Sequence, residues 1–312
     1  MFGARAGKDG DWLSVAVYRD RIDVARVERR GAGLPVVQLC ESYAKKGSDV
    51  DTLKSMARAL QAARYRCSNM LETADYQMQL VEAPAVPANE VKSAVRWQLK
   101  ELLDYPVDAA TVDIASVPKD QSSNARGQYV YAVTARNERI VERMKLFEGA
   151  KFPLEAIDVP EMAQRNVAHL FEQQMRGLAL LAFDDLGGLL TFTAGGELYM
   201  ARRTEITAAQ LTEVQGEARD QTLDRLVLEL QRSFDHFDRQ FSYLGVSRVL
   251  VAPLAVDLGL ERYLAENLGL PVEKLDLSTV LDFAGAPELR DPSRQGYRLH
   301  IIGAALREEQ AA

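Results

Sequence analysis

Three histidines, His169, His236 and His300, are the side chains best suited to ligate a metal or carry a proton, but no two stand at a metal-binding spacing. Each is expected at a surface or an interface. Cys40 and Cys67 match neither a zinc motif nor a redox pair, and each reads as a small core hydrophobe in a reducing cytoplasm. Asp184-Asp185 could exchange protons in principle, yet adjacent acids in a turn are usually just solvated. Ser-x-x-Lys, Gly-x-Ser-x-Gly and Walker-type Gly-Lys-Ser/Thr signatures are all missing. No catalytic residue and no metal set is assigned, and the chain is expected not to be an enzyme.

Composition narrows the partners. A net charge of −7 repels phosphate backbones, and no basic run is interleaved with aromatics, so nucleic acid is not expected. Arg5 and Lys8 are not followed by an apolar stretch, which argues against a secretory signal. No apolar run approaches the ~20 residues that span a bilayer. At 312 residues with 47% hydrophobic side chains, the chain should fold throughout, as about two lobes.

The elements that must position any site follow from the apolar spacing. Residues 12–18, 21–28 and 34–43 alternate between turn-prone segments and predict a three-stranded antiparallel meander. A helix over 50–64 follows, with Leu53, Met56, Ala57 and Leu60 on one face, and then strands at 67–72 and 76–81. That order cannot be a dinucleotide-binding unit, which opens β-α-β. Pro84 and Pro87 interrupt the pattern and set an expected boundary. Beyond them come a helix over 88–103, strands at 110–117 and 127–135, and a helix over 137–148, read as an α-β-β-α insertion. The chain then returns through 154–159 and a helix over 160–173, which Pro160 opens.

A second meander is expected at 178–183, 189–193 and 197–203, with glycine pairs at the turns. In a long helix over 217–241, Leu223, Leu226, Val227, Leu230, Phe234, Phe237 and Phe241 recur at spacings of three and four, so their partner must be core. A strand at 248–252, a helix over 257–267, a strand at 272–275 and a helix near 297–306 complete the chain. The meander-then-helix order thus occurs twice, which describes an α/β protein of actin-like, two-lobed fold. The expected division is 1–86 for the first lobe, 87–150 for the insertion and 151–176 for the return to the first lobe. Residues 177–295 form the second lobe, and the 296–312 helix goes back to the first.

Three stretches carry a family likeness: Ala94-Val95-Arg96-Trp97-Gln98-Leu99-Lys100-Glu101-Leu102-Leu103-Asp104-Tyr105-Pro106-Val107-Asp108, Glu197-Leu198-Tyr199-Met200-Ala201-Arg202, and Ile302-Gly303-Ala304-Ala305-Leu306-Arg307. They resemble the MshI branch of the PilM family. The resemblance implies an FtsA-related fold and a cytoplasmic role, peripheral at the inner membrane, in building type IV pili of the mannose-sensitive haemagglutinin kind. It implies as partners the cytoplasmic tail of a single-span, PilN-like membrane protein and, in addition, the assembly ATPase. The cytoplasmic domain of the type II secretion L protein is the rival within the class.

In this family two hairpin turns would cradle nucleotide phosphates, with glycines admitting the anion and carboxylates holding magnesium. Here the first turn reads Ala16-Val17-Tyr18-Arg19 followed by Asp23, where the resemblance implies Asp-Ile-Gly-Ser and a lysine. The second keeps Asp185-Leu186-Gly187 but places Leu189 and Leu190 where a hydroxyl would sit, and Pro253-Leu254 replaces a glycine pair at the adenosine end. A degenerate nucleotide site is expected, with no cofactor and with ATP and magnesium disfavoured. On the inserted helix, Trp97 falls about 160° from Val95 at ~100° per residue. The strand 129–133 could cover it, or it could face a partner. A partner groove between the insertion and the first lobe is expected near Trp97, Lys100, Tyr105 and Pro106. Two classes remain open: a docking scaffold and a nucleotide-responsive switch.

Overall fold

A computed structural model describes residues 11–29, 31, 33–119, 128–173, 176–213 and 215–308. The chain opens with β1 (Trp12–Val17), β2 (Arg21–Glu28) and β3 (Val36–Ala44), followed by α1 (Asp49–Ala59), β4 (Arg66–Met70) and β5 (Tyr76–Glu82). Then come α2 (Val91–Gln98), β6 (Ala110–Ser116), β7 (Tyr129–Arg136), α3 (Asn137–Ala150), β8 (Leu154–Asp158) and α4 (Pro160–His169). The rest is β9 (Gly177–Phe183), β10 (Gly188–Ala194), β11 (Glu197–Thr204), α5 (Ala208–Thr212), α6 (Glu217–Gln240), β12 (Val246–Val251), α7 (Leu260–Leu268), β13 (Val272–Lys274) and α8 (Leu299–Ala305).

Two five-stranded sheets share one plan. The first runs β3-β2-β1-β4-β8 and the second β11-β10-β9-β12-β13, each an antiparallel meander extended by two parallel strands. Local chemistry explains the helices that cover them. Ser48 caps α1 by accepting the Asp51 N–H at 3.2 Å, and Leu53 and Met56 turn inward. Gln61 in the left-handed region ends that helix well short of residue 64. The apolar stripe of α6 is buried as its spacing requires, with Phe237 stacked on Phe192 at 4.5 Å and Phe234 edge-on to it at 5.1 Å.

Between the sheets lie α4 and α8, lined with Ala163, Val167, Ala168, Ile302 and Ala304, in one core that includes Ala16 and Met70 on one side and Leu180 and Leu250 on the other. Small side chains let the two helices approach each other closely. Hence the lobes are joined by continuous packing as well as by the chain.

The expected domain limits need three corrections. First, β5 does not belong to the first-lobe sheet; it pairs with β7 along its whole length in a separate sheet of order β5-β7-β6. The prolines mark the loop that follows this strand, while sheet membership is decided by its distant partner. Second, α3 is not part of the insertion's own core. It packs on α1, and Phe147 and Ala150 are fully buried among Leu13, Val15, Leu53 and Cys67. Third, the segment before α8 is not confined to the second lobe. Asp282 exchanges bonds with the β3 end (Val37 N to Asp282 O 2.8 Å, Asp282 N to Pro35 O 2.9 Å), and Gly285 N donates to Val37 O at 3.0 Å. Residues 1–10 and 309–312, and Gly127 of the expected strand at 127–135, lie outside the described residues.

Candidate functional site

The interlobe cleft is the first place where a ligand could sit. Ala16 is buried in the central core. Tyr18, half-buried, lies under the Arg21 guanidinium at 4.4 Å, and burial followed by the nearby Asp23 charge pushes its phenol far above the usual tyrosine range. Asp23 is buried, accepts the Ser42 hydroxyl and pairs with Arg298 at 3.0 Å and Arg21 at 3.5 Å. Its charge is therefore satisfied from within the protein.

The second turn is organised by Asp184, whose Oδ1 accepts the N–H groups of Leu186 (2.8 Å) and Gly187 (3.1 Å). Asp185 stands exposed at the tip. Gly187 has φ +148°, and a Cβ there would lie 2.2 Å from the Thr204 carbonyl oxygen, so this glycine serves the hairpin's own packing. Leu189 and Leu190 are both buried. At the far end, Gly296 presses on Pro253 so closely that a Cβ would meet the Pro253 carbonyl oxygen at 2.1 Å. These residues do not fit a magnesium nucleotide: the buried carboxylate is already paired, the turn's N–H groups are already used, and backbone fills the adenosine end. Among the described residues no group of three or more His, Cys, Asp or Glu could hold a metal ion.

A buried polar junction lies where the insertion, α4 and the second lobe meet, and no motif had announced it. Glu161 Oε2 accepts the Tyr76 hydroxyl at 2.6 Å, while Arg203 donates to Glu161 at 3.0 Å and to the Tyr76 oxygen at 2.9 Å. One turn along α4, Gln164 donates to Leu180 O, Leu189 O and Thr191 Oγ1, leaving its carbonyl to accept from His300 Nε2 at 2.9 Å. Burial holds the His300 pKa below its ordinary value, so the imidazole is neutral and donates from Nε2. His300 thus lies at the α4–α8 interface. His169 is exposed beside Glu172 at 3.0 Å, and burial with the nearby Arg202 charge lowers the His236 pKa. Tyr131 adds a second tie: its hydroxyl donates to Tyr199 O (3.3 Å) and accepts from Ala201 N (3.1 Å), capping the open edge of β11.

The second candidate is a cavity of about 170 Å³ between the inserted sheet and the first lobe. Its walls are β6 (Asp113, Ile114, Ala115), the end of β8 (Ile157, Asp158), the α4 side chains Arg165 and Asn166, and Arg307. Both strands are edges of their sheets. Because Val117 N donates to Tyr129 O, alternation along β6 turns the N–H and C=O of Ile114 away from β7. Likewise Asp158 O accepts from Leu71 N on the β4 side, so the backbone of Ile157 points outward. Among the described residues, two unpaired strand edges therefore flank one gap.

The expected groove residues are not in that wall. Val95 of α2 and Leu99 just beyond its end pack onto Val130 and Ala132, so Trp97 lies on the opposite face, 72% exposed and not covered by β7. Lys100 and Pro106 are exposed, and Tyr105 is half-buried with Arg136 stacked on its ring at 4.1 Å. Arg96, on the same helix, is spent on Ala110 O and Val107 O. The helix that carried the most distinctive residues covers the outer layer of the insertion, whereas the cavity lies at the sheet's free edge.

No protein-family model matches the chain, and no curated protein matches it in sequence. Solved structures do. The structure of a PilM-PilN type IV pilus biogenesis complex aligns over 96% of this chain and 98% of that one, with a TM-score of 0.72 and 17% identity. A Bacteroides thetaiotaomicron protein of actin-like ATPase fold and unknown function covers 96% and 97%, with a TM-score of 0.51 and 8% identity. The cytoplasmic domain of EpsL, an inner-membrane component of the Vibrio cholerae type II secretion system, aligns at a TM-score of 0.48 and 12% identity over 96% and 97%. Likeness at these identities speaks for fold, and with two sheets of one plan packed about α4 and α8, the chain has the actin-like fold.

Proposed function

We propose that the protein is a non-enzymatic docking adaptor of a type IV pilus assembly machine, of the MshI branch of the PilM family. It takes the extended cytoplasmic tail of a single-span, PilN-like inner-membrane protein into the gap between β6 and β8. The assembly ATPase is its second partner, and the adaptor is cytoplasmic, held at the inner membrane through the tail. The observation that carries this reading is the pair of outward-facing strand edges, which offer a ladder to an incoming strand. Likeness to a PilM-PilN complex supports it, as does the stretch of sequence around Trp97. No helix among the described residues is long and apolar enough to cross a membrane.

The test is a titration of the tail peptide against the full chain, with one peptide unmodified and one N-methylated at alternate residues. Each ladder bond contributes about 1 kcal/mol net, so losing two weakens binding at least tenfold. Trp97→Ala should change affinity less than twofold. Equal binding of both peptides combined with a tenfold loss in Trp97→Ala would move the tail onto the outer face of α2.

A nucleotide-responsive switch is the second reading, kept by the exposed Asp185 at a turn that retains Gly187. The paired state of Asp23 and the contact of Gly296 on Pro253 speak against it. Saturation at one hundred times the dissociation constant would add about 2.7 kcal/mol. We expect millimolar ATP with magnesium to leave the melting temperature unchanged; a dose-dependent rise of several degrees revives the switch.

A further inference from the structure

We infer that Arg165 reads an acidic side chain of the strand that enters the β6–β8 gap, an inference that rests on the docking reading above. Five charged side chains line the cavity, and four of them are already committed. Asp113 pairs with Lys92, Asp158 with Arg307 and Glu308 with Arg29, each at 2.8 Å. Arg165, half-buried on α4, has no carboxylate partner among the described residues.

It is nevertheless held. Its Nε and Nη2 both donate to Asn166 Oδ1, at 3.3 and 2.9 Å, and Asn166 is itself anchored by donating to Gly303 O at 2.9 Å. A neutral amide thus fixes the plane of the guanidinium and leaves Nη1 without a protein acceptor among the described residues. A planar cation presented in this way matches a carboxylate in fork geometry, and little side-chain freedom remains to be lost on binding. A basic residue entering the gap would meet only carboxylates that already have partners. The occupant is therefore an extended peptide carrying Asp or Glu at the position that falls opposite Arg165 when its backbone pairs with Ile114 or Ile157.

Selection from a displayed library of random ten-residue peptides tests this without knowledge of the native tail. The library is panned on the full-length protein and on Arg165→Glu, and amide hydrogen exchange maps where the selected peptides sit. The expected result is protection of residues 110–116 or 154–158, Asp or Glu enriched at one position for the wild type, and Lys or Arg at that position for Arg165→Glu. For a selected acidic peptide, Arg165→Gln should weaken binding about tenfold, while its asparagine counterpart binds both proteins alike. Peptides that protect these strands but show no acidic preference overturn the role of Arg165 and leave the groove standing. Selected peptides that protect neither strand remove the groove and this inference together.

Discussion

Excising residues 88–148 should leave a chain that cannot fold, although both prolines at 84 and 87 and the re-entry at Phe152-Pro153 make these the natural cut points in the sequence. The cut removes Phe147, fully buried in the first-lobe core against Phe152 at 5.7 Å, and it removes β7, the sole ladder partner of β5 among the described residues. Losing a core phenylalanine alone costs about 3–5 kcal/mol, against a whole-domain stability of about 5–15 kcal/mol. The stranded β5 then exposes an open edge with Tyr76 at its start. A cut at 73–136, closed by a short Gly-Ser linker, respects the packing: it takes out the whole three-stranded sheet and keeps α3 on α1. That variant should stay soluble but melt earlier, because Tyr131 no longer caps β11 and Glu161 loses the Tyr76 hydroxyl. Expression, size-exclusion chromatography and a thermal melt distinguish the two. A soluble, cooperatively melting 88–148 deletion would falsify the assignment of α3 to the first lobe.

That reversal shows where sequence reading works and where it stops. The meanders and α6 are written in local periodicity: alternation between turns in 12–43, and a stripe from Leu223 to Phe241 that is buried at every position. That Trp97 lies opposite Val95 also follows from helical geometry, though whether a strand covers it does not. What periodicity cannot carry is which sheet a strand joins. Tyr76 to Glu82 alternates in the same way whether its partner is β4 or β7, and its partner lies some fifty residues away in the chain. The cleft is similar. Ala16, Tyr18 and Asp23 read as departures from a phosphate turn, but the groups that neutralise Asp23 include Arg298 from the far end of the chain. The groove wall draws on β6, β8, α4 and the C-terminal residues Arg307 and Glu308, so it leaves no motif. The most distinctive run, around Trp97, lies on a different face from that cavity.

Gly303→Ala should destabilise the protein even though a helix intrinsically prefers alanine to glycine by about 1 kcal/mol. The sign is decided at the α4–α8 crossing, where a Cβ on residue 303 would stand 2.1 Å from the Ala163 carbonyl oxygen and 3.0 Å from Val167 Cγ2. Van der Waals contact requires the helices to part by roughly 1 Å. They are the layer shared by both five-stranded sheets, so parting them loosens Ala16 and Met70 on one side and Leu180 and Leu250 on the other. Overpacking of this kind costs about 1–3 kcal/mol and at times more. Taking a net loss of about 2 kcal/mol and 2–4 °C per kcal/mol for a chain of this size, the melting temperature should fall by about 4–8 °C. The obstruction is a backbone oxygen, so Ala163→Gly should not rescue it, and Val167→Ala should recover little. A rise in melting temperature for Gly303→Ala, or full rescue by Ala163→Gly, would mean that the two helices cross with more room than their small residues indicate.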